Sequence, residues 1–303
     1  MKLKIATSQF PVSADKELNR DCMLKQMKSA KQSGCDVVHF PEGSLSGYAG
    51  VDFDTFDNYD WELIKQYTEE IMLFAKELRI WVIFGSAHLW ANGQKPFNSV
   101  YVINNEGQIA DRYDKLFCSG DAEGKTGDLA HYSSGNHFTM FTINGVNCSV
   151  QICHDYRYPE LYRELKNRGA EVVFHSYHAG NLDGERLADM EAQVGEENEL
   201  FNWGSTYPEI TMPATMVSYA ANNYVWISCS NTSAKQSCWG SFLVRPDGVI
   251  TGRLHKNKEG LLIREIDTDK KFYDGSAAWR ERAINGIYFS GERVKDLRDR
   301  TKL

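Results

Sequence analysis

Three chemically active side chains each lie just beyond a short apolar segment of this sequence: Glu42, Lys115 and Cys153. A cysteine at the end of a strand can project its sulfur into a cleft, where a base can deprotonate it for nucleophilic attack. A carboxylate in a desolvated pocket can act as that base, and a fixed ammonium can stabilise developing negative charge. Taken singly, each residue also has an ordinary explanation, as a buried thiol, a capping carboxylate or a solvated lysine.

The segments that precede these residues have the pattern of short strands, rich in Val and Ile and bounded by turn residues. The predicted strands cover residues 3–9, 36–40, 80–89, 99–103, 108–113, 138–143, 146–152, 172–174, 225–230, 241–244, 249–254 and 261–266. The predicted helices cover residues 16–33, 64–78, 159–168 and 213–223. Helices that alternate with strands, and hairpins such as the one at Asn144-Gly145, predict an α/β fold with mixed sheets covered by helices.

Composition and charge indicate which kinds of binding partner and which compartment to expect. The formal net charge is -7 and the chain is acidic, which disfavours binding to nucleic acid or to anionic membrane surfaces. No apolar run approaches the roughly 20 residues of a membrane span, and the polar residues 7–9 come too early for a signal peptide. The 7 cysteines form no CxxC pair, and an odd number cannot pair completely within one chain. We therefore expect a cytoplasmic protein with reduced thiols that acts on a small molecule.

Three histidines near the predicted cleft raise the question of a metal site: His154, His175 and His178. Imidazole is a common metal ligand. The spacing of these residues matches no zinc-binding pattern, so the sequence favours pocket-lining or hydrogen-bonded histidines and no metal. The chemistry inferred from Glu42 and Cys153 needs no organic cofactor either.

Three sequence blocks together resemble the signature blocks of the nitrilase superfamily of carbon–nitrogen hydrolases, in order and in spacing. They are Phe-Pro-Glu at residues 40–42, Tyr-Asp-Lys-Leu at 113–116 and Cys-His-Asp-Tyr-Arg-Tyr-Pro-Glu at 153–160. The resemblance covers nearly the whole chain. It implies a four-layer α-β-β-α sandwich with two mixed β-sheets, and a homodimer or higher homo-oligomer. Residues 1–303 are predicted to form a single domain, in which residues 276–303 are either an arm that docks on a neighbouring subunit or a solvated terminal helix.

The resemblance also assigns roles to individual residues. It implies that Glu42 is the base, Lys115 the stabilising cation and Cys153 the nucleophile of a hydrolase that cleaves a non-peptide C–N bond in a small amide or N-carbamoyl compound. Many members carry a second glutamate shortly after the lysine, and Glu123 is assigned to that place, with Glu106 as the alternative. The expected substrate-binding residues are Tyr48, His154, Ser176 and Tyr177.

Departures from the family pattern bear on the substrate. His154-Asp155 replaces the Trp-Glu that tends to follow the nucleophile in true nitrilases, which favours amide or carbamoyl substrates over nitriles. Residues 180–207 are acidic and irregular, and they are predicted to form a flap or loop insertion near the active site. The alternatives are a nitrilase, an acyltransferase and a catalytically silent binding subunit. The intact set of Glu42, Lys115 and Cys153 argues against the silent subunit.

Overall fold

The computed structural model describes residues 1–91 and 93–293. The strands are β1 (Lys2–Gln9), β2 (Val37–His39), β3 (Trp81–His88), β4 (Phe97–Ile103), β5 (Ile109–Asp114), β6 (Phe141–Ile143), β7 (Val146–Ile152), β8 (Val172–Ser176), β9 (Trp226–Ser230), β10 (Phe242–Val244), β11 (Ile250–Arg253) and β12 (Gly260–Asp267). The helices are α1 (Lys16–Gln32), α2 (Trp61–Leu78), α3 (Gly127–His131), α4 (Pro159–Asn167), α5 (Gly184–Ala192), α6 (Tyr207–Asn223) and α7 (Arg280–Ile284).

The strands form two mixed six-stranded sheets with corresponding topologies. The first has the order β12-β1-β2-β3-β4-β5 and the second the order β11-β10-β9-β8-β7-β6. The strands β1, β2 and β3 are parallel in the first sheet, as are β7, β8 and β9 in the second. The similar segments 34–38 and 169–173 enter β2 and β8, which occupy equivalent places in the two sheets.

Three apolar clusters hold the layers together. One joins α1 and α2 to the first sheet and includes Ile71 and Val38. The second fills the space between the sheets with side chains such as Ile5 and Val150. The third joins the second sheet to α4 and α6, where Met216 is buried. Fully burying an aliphatic side chain contributes about 1.5–3 kcal/mol. The layers are therefore α-β-β-α, and the predicted sandwich is confirmed.

Several predicted boundaries were wrong, and two of them lie close to the cavity. The helix predicted at 213–223 begins at Tyr207, because Pro208 lies in its first turn, where a missing N–H costs nothing, and Thr206 caps it. The strand predicted at 172–174 extends to Ser176. The segment predicted as an irregular insertion, residues 180–207, is partly regular, since it contains α5 and a 3₁₀ turn over Glu196–Phe201.

The described part of the C-terminal segment contacts its own subunit. Arg280 Nε in α7 donates to the carbonyl oxygen of Asn222 at 3.1 Å. Residues 294–303 lie outside the described residues, so the assignment of 276–303 as an intersubunit arm stays a prediction. Over the described ranges, none of the helices combines the length and apolarity that crossing a membrane requires.

Candidate active site

The carboxyl ends of several strands open onto one cavity of about 250 Å³. Lys115 directly follows β5, and Cys153 directly follows β7. Both residues line the cavity. Glu42 follows β2 and is completely buried beside them. The three residues predicted from the sequence therefore converge, although they are far apart in the chain.

Lys115 binds two carboxylates in the interior. Its Nζ lies 2.8 Å from Glu42 Oε1 and 2.7 Å from Asp128 Oδ2. Burial alone would lower the pKa of Lys115, but the charges of Asp128 and Glu42 outweigh burial and raise it well above its ordinary value. Lys115 is therefore a permanent cation. An ammonium has three donors, so one remains for a substrate.

Glu42 is held so that one carboxylate oxygen stays available. Oε1 accepts from Asn98 Nδ2 at 2.7 Å as well as from Lys115. Oε2 is buried and has no hydrogen-bond partner in the described part of the chain. The backbone of Glu42 packs directly on β3, since a Cβ added to Gly85 would meet Gly43 N at 2.4 Å and Glu42 C at 2.8 Å. The free oxygen is suited to accept a proton.

Cys153 occupies a turn that exposes its thiol to the cavity. Its φ is 38°, in the left-handed region that non-glycine residues seldom adopt, and it begins a 3₁₀ turn over Cys153–Arg157. The His175 Nε2 lies 3.1 Å from the carbonyl oxygen of Cys153. Burial raises the pKa of the Cys153 thiol well above its ordinary value, and the charge of Glu42 adds to this effect. A base would therefore be needed to convert this thiol to a thiolate.

The assignment of Glu123 as the second carboxylate was wrong. Glu123 is exposed, in a turn closed by the bond from Gly124 N to Asp121 O at 3.1 Å. Asp128, on α3, is the second carboxylate on Lys115, and it also accepts from Ser119 N at 2.9 Å. Burial would raise the pKa of Asp128, but the adjacent Lys115 lowers it. Asp128 was missed because its position depends on how the loop after Lys115 closes.

Two of the four predicted substrate-binding residues line the cavity, and two do not. Tyr48 and His154 are in the cavity wall. Ser176 is buried between the sheets, where its Oγ bonds to His39 Nε2 and to the Phe40 carbonyl, each at 3.0 Å. This prediction was wrong because β8 continues to Ser176 and turns that side chain inward.

Tyr177 is also absent from the cavity wall. Its ring is fully buried, stacked on His175 with 4.3 Å between ring centroids and lying edge-on to Trp239 at 4.8 Å. Its surroundings are those of a core residue under the second sheet. Contrary to the prediction, the structure therefore does not bring Tyr177 to the cavity.

His178 is the histidine that reaches the cavity from the end of β8. Its Nε2 lies 3.0 Å from Asp52 Oδ2, and its ring stacks on Tyr48 with 5.1 Å between centroids. Burial would lower the pKa of His178, but Asp52 outweighs burial and raises it. The sequence placed three histidines near the cleft and offered no signal to separate this one from the others.

The remaining charged groups in the cavity wall are basic. Arg157 and Arg186 line it, and neither forms an ion pair with a described carboxylate. The wall residues include no Asp or Glu among the described residues. Across residues 1–91 and 93–293, no group of three or more His, Cys, Asp or Glu side chains is placed to hold a metal ion.

Comparisons with known proteins agree with this geometry. A family model described as carbon-nitrogen hydrolase matches residues 4–270. The chain is 28% identical over 176 residues to a 2-oxoglutaramate amidase of Bacillus subtilis (strain 168), covering 57% of this chain and 64% of the relative. It is 31% identical over 177 residues to omega-amidase NIT2-A of Xenopus laevis, covering 57% and 62%. The match thus spans less than two thirds of the length of either relative.

A solved structure resembles the whole described fold. A mutant of the amidase from Nesterenkonia sp. AN1, described as showing the result of Michael addition of acrylamide at its active-site cysteine, superposes with a TM-score of 0.71. The match covers 94% of this chain and 100% of the other at 17% sequence identity. At that identity the likeness establishes the sandwich fold.

Proposed function

The chain belongs to the carbon-nitrogen hydrolase family, and on that premise we propose that it is an amidase that works through a thioester on Cys153. The substrate is a small non-peptide amide or N-carbamoyl compound. The observation that carries the proposal is the buried Lys115, which bridges Glu42 and Asp128 in the wall of the cavity that holds the thiol. Such a set matches the requirements of a nucleophile, its base and a fixed cation.

The first half of the reaction forms the acyl-enzyme. Glu42 Oε2 takes the proton from Cys153 Sγ as the sulfur attacks the amide carbon. Lys115 Nζ and the backbone N–H of His154 stabilise the oxyanion of the tetrahedral intermediate. Glu42 then gives its proton to the leaving nitrogen, the C–N bond breaks, and ammonia or an amine departs from a thioester.

The second half returns the enzyme to its starting state. Glu42 takes a proton from a water molecule as the water oxygen attacks the thioester carbon. The new tetrahedral intermediate collapses, the C–S bond breaks, and the sulfur recovers the proton held by Glu42. Asp128 takes no proton in this scheme. It keeps Lys115 charged and in place.

The basic wall favours substrates that carry an acidic group. Arg157 and Arg186 offer guanidinium groups that suit a carboxylate, and the two curated relatives named above are an omega-amidase and a 2-oxoglutaramate amidase. We therefore propose that the acyl part of the substrate bears a carboxylate. A dicarboxylic acid monoamide should have a kcat/KM about tenfold to a hundredfold above that of a neutral amide of equal length.

Two assays test the proposed function. Ammonia release is measured for paired acidic and neutral amides, with Arg157→Met expected to remove the preference and the surface variant Arg168→Met expected to keep it. Intact-mass spectrometry of the wild-type enzyme, quenched with acid during turnover of the same amides, should reveal an acyl adduct on Cys153. The proposal fails if no amide yields ammonia or an adduct, and the acidic-substrate part fails if neutral amides react equally well.

Compartment and assembly are two further parts of the proposal. All 7 cysteines are free thiols, which supports a reducing compartment such as the cytoplasm. The large exposed side chains of Leu200, Phe201 and Trp203, between 82% and 97% exposed, support a homodimer or higher homo-oligomer. Size-exclusion chromatography with light scattering would test the assembly.

A further inference from the structure

Asp155 is a fully buried carboxylate that the mechanism above leaves without a role. Its Oδ1 accepts from Phe117 N at 2.9 Å. Its Oδ2 accepts from Tyr113 Oη at 2.8 Å and from Ile152 N at 3.1 Å. One side chain thus gathers three donors: Ile152 caps the 3₁₀ turn that carries Asp155, and the other two come from the segment around Lys115.

The three donors to Asp155 lie close to Lys115 and Cys153 in the sequence. Tyr113 and Phe117 stand two residues before and two residues after Lys115, and Ile152 immediately precedes Cys153. The strand β5, which ends beside Lys115, belongs to the first sheet, whereas β7, which ends beside Cys153, belongs to the second. Asp155 is therefore a direct polar link between the loop that carries the cation and the turn that carries the nucleophile.

The chemistry of the link favours an ionised carboxylate. An ionised carboxylate only accepts hydrogen bonds, and all three partners are donors. Burial raises the pKa of Asp155 to about 6, and the bonds from Phe117 and Tyr113 together with the charge of Lys115 oppose that rise. Near neutral pH the group is charged, and bonds to a charged acceptor are stronger and more directional than neutral ones.

We propose that Asp155 is a positioning residue, which fixes Lys115 relative to Cys153 by holding both of their loops on one carboxylate. The proposal rests on the proposed function, since it assigns Lys115 and Cys153 their roles in amide cleavage. A shift of about 1 Å between reacting groups can cost about a hundredfold in rate. Loosening the link should therefore lower kcat and leave substrate binding nearly unchanged.

The main test is Asp155→Asn, which keeps the shape of the side chain and sets an amide NH2 against at least one of the three donors. We expect kcat for the best amide to fall about tenfold to a hundredfold, with KM within about threefold of wild type. Tyr113→Phe removes one of the three bonds and should lower kcat less. The double variant should be no slower than Asp155→Asn alone, because both changes break one link.

Asp36→Asn is the matched control. Asp36 also joins the two sheets, since it accepts from Lys4 N at 2.7 Å and from Asn144 Nδ2 at 2.9 Å, but it lies at the opposite ends of the strands. We expect Asp36→Asn to lower the melting temperature and to keep kcat. Equal kcat losses in the two aspartate variants, or an unchanged kcat in a folded Asp155→Asn, would overturn the proposal. If Asp155→Asn does not fold, the kcat of Tyr113→Phe becomes the test. A wild-type kcat in that variant would then overturn the proposal.

A second readout separates this proposal from the proposed function. The rate at which 2-iodoethanol alkylates Cys153 depends on the placement of the thiol beside Glu42 and Lys115, and this reagent contains no amide group. We expect Asp155→Asn to change this rate by about fivefold or more, and Asp36→Asn to leave it unchanged. If the wild-type enzyme cleaves no amide but Asp155→Asn still changes the alkylation rate, only the amidase proposal is wrong. If all folded variants are alkylated at the same rate, the positioning role of Asp155 is wrong.

Discussion

The two sheets have corresponding strand orders, yet they bring different chemistry to the cavity. Their registers pair Ile5 with Val37 in the first sheet and Cys148 with Val172 in the second. On this alignment, the place that Cys153 occupies after β7 is filled after β1 by the buried Phe10. Similarly, Glu42 after β2 corresponds to the buried Tyr177 after β8.

One of these two pairs of equivalent positions is in direct contact. Glu42 N donates to the carbonyl oxygen of Tyr177 at 3.2 Å. Each sheet therefore provides one polar or thiol side chain and one aromatic side chain at the same two places. The comparison shows that the topology brings these positions to one cavity, whereas the residue type after each strand decides which sheet supplies the carboxylate and which the thiol.

The largest effect is expected from substitution of Cys153, whose equivalent in the first sheet is Phe10. Cys153→Ala should lower amide turnover by at least about 1,000-fold and keep the fold, because the thiol faces the cavity. At the equivalent position, Phe10→Leu should cost about 1 kcal/mol of stability and leave turnover nearly intact. Ammonia release and thermal unfolding of both variants check this. Substantial turnover in Cys153→Ala would contradict the assignment of the nucleophile.

An intermediate effect is expected from the carboxylates after β5. Asp128→Asn should lower kcat about tenfold to a hundredfold, because Lys115 loses one of its two buried counter-charges. Glu123→Gln should change neither kcat nor KM, since that side chain is exposed. Steady-state kinetics of the two variants compare them directly. A larger loss of kcat in Glu123→Gln than in Asp128→Asn would instead support Glu123 as the second carboxylate.

The smallest expected effect concerns two buried histidines, His178 and His39, whose pKa values are shifted in opposite directions. Asp52 raises the pKa of His178, so their pair stabilises the folded state below the ordinary histidine pKa of about 6.5, and this stability is lost as the pH rises through the raised pKa. His39 has no carboxylate partner among the described residues, and burial lowers its pKa well below the usual value, so its contribution has the opposite sign.

We therefore expect Asp52→Asn to lower the melting temperature more at about pH 6 than at about pH 9. Differential scanning calorimetry of wild type and variant across this range measures the difference. Since both proteins contain His39, its titration cancels in the comparison. A gap between the two melting temperatures that is independent of pH would show that His178 is neutral in the fold.

Much of the site could be predicted from the sequence because its residues follow strands. Apolar segments that end before Glu42, Lys115 and Cys153 indicated where those side chains would emerge, and the three ordered blocks identified the family. The strand and helix pattern predicted an α/β fold with mixed sheets, and the resemblance to the family implied the four-layer sandwich.

The errors have a common physical origin. Glu123 and Asp128 stand five residues apart in the polar segment after Lys115, and only the closure of that segment in three dimensions decides which carboxylate reaches Lys115. Ser176 and Tyr177 depend on where β8 ends, since one more pair of residues in the strand turns their side chains into the interior. His178 gains its place from Asp52, which is far away in the sequence. Tertiary contacts settled these positions, and single-sequence periodicity does not report them.

The backbone of Gly85 contacts the backbone of the turn that carries Glu42, and this contact limits which residue position 85 can hold. Because no side chain separates the two backbones, a displacement of strand β3 at Gly85 would move the backbone of Glu42 directly. A methyl group at position 85 would clash with the backbone of residues 42 and 43, so Gly85→Ala should displace the Glu42 carboxylate from Lys115.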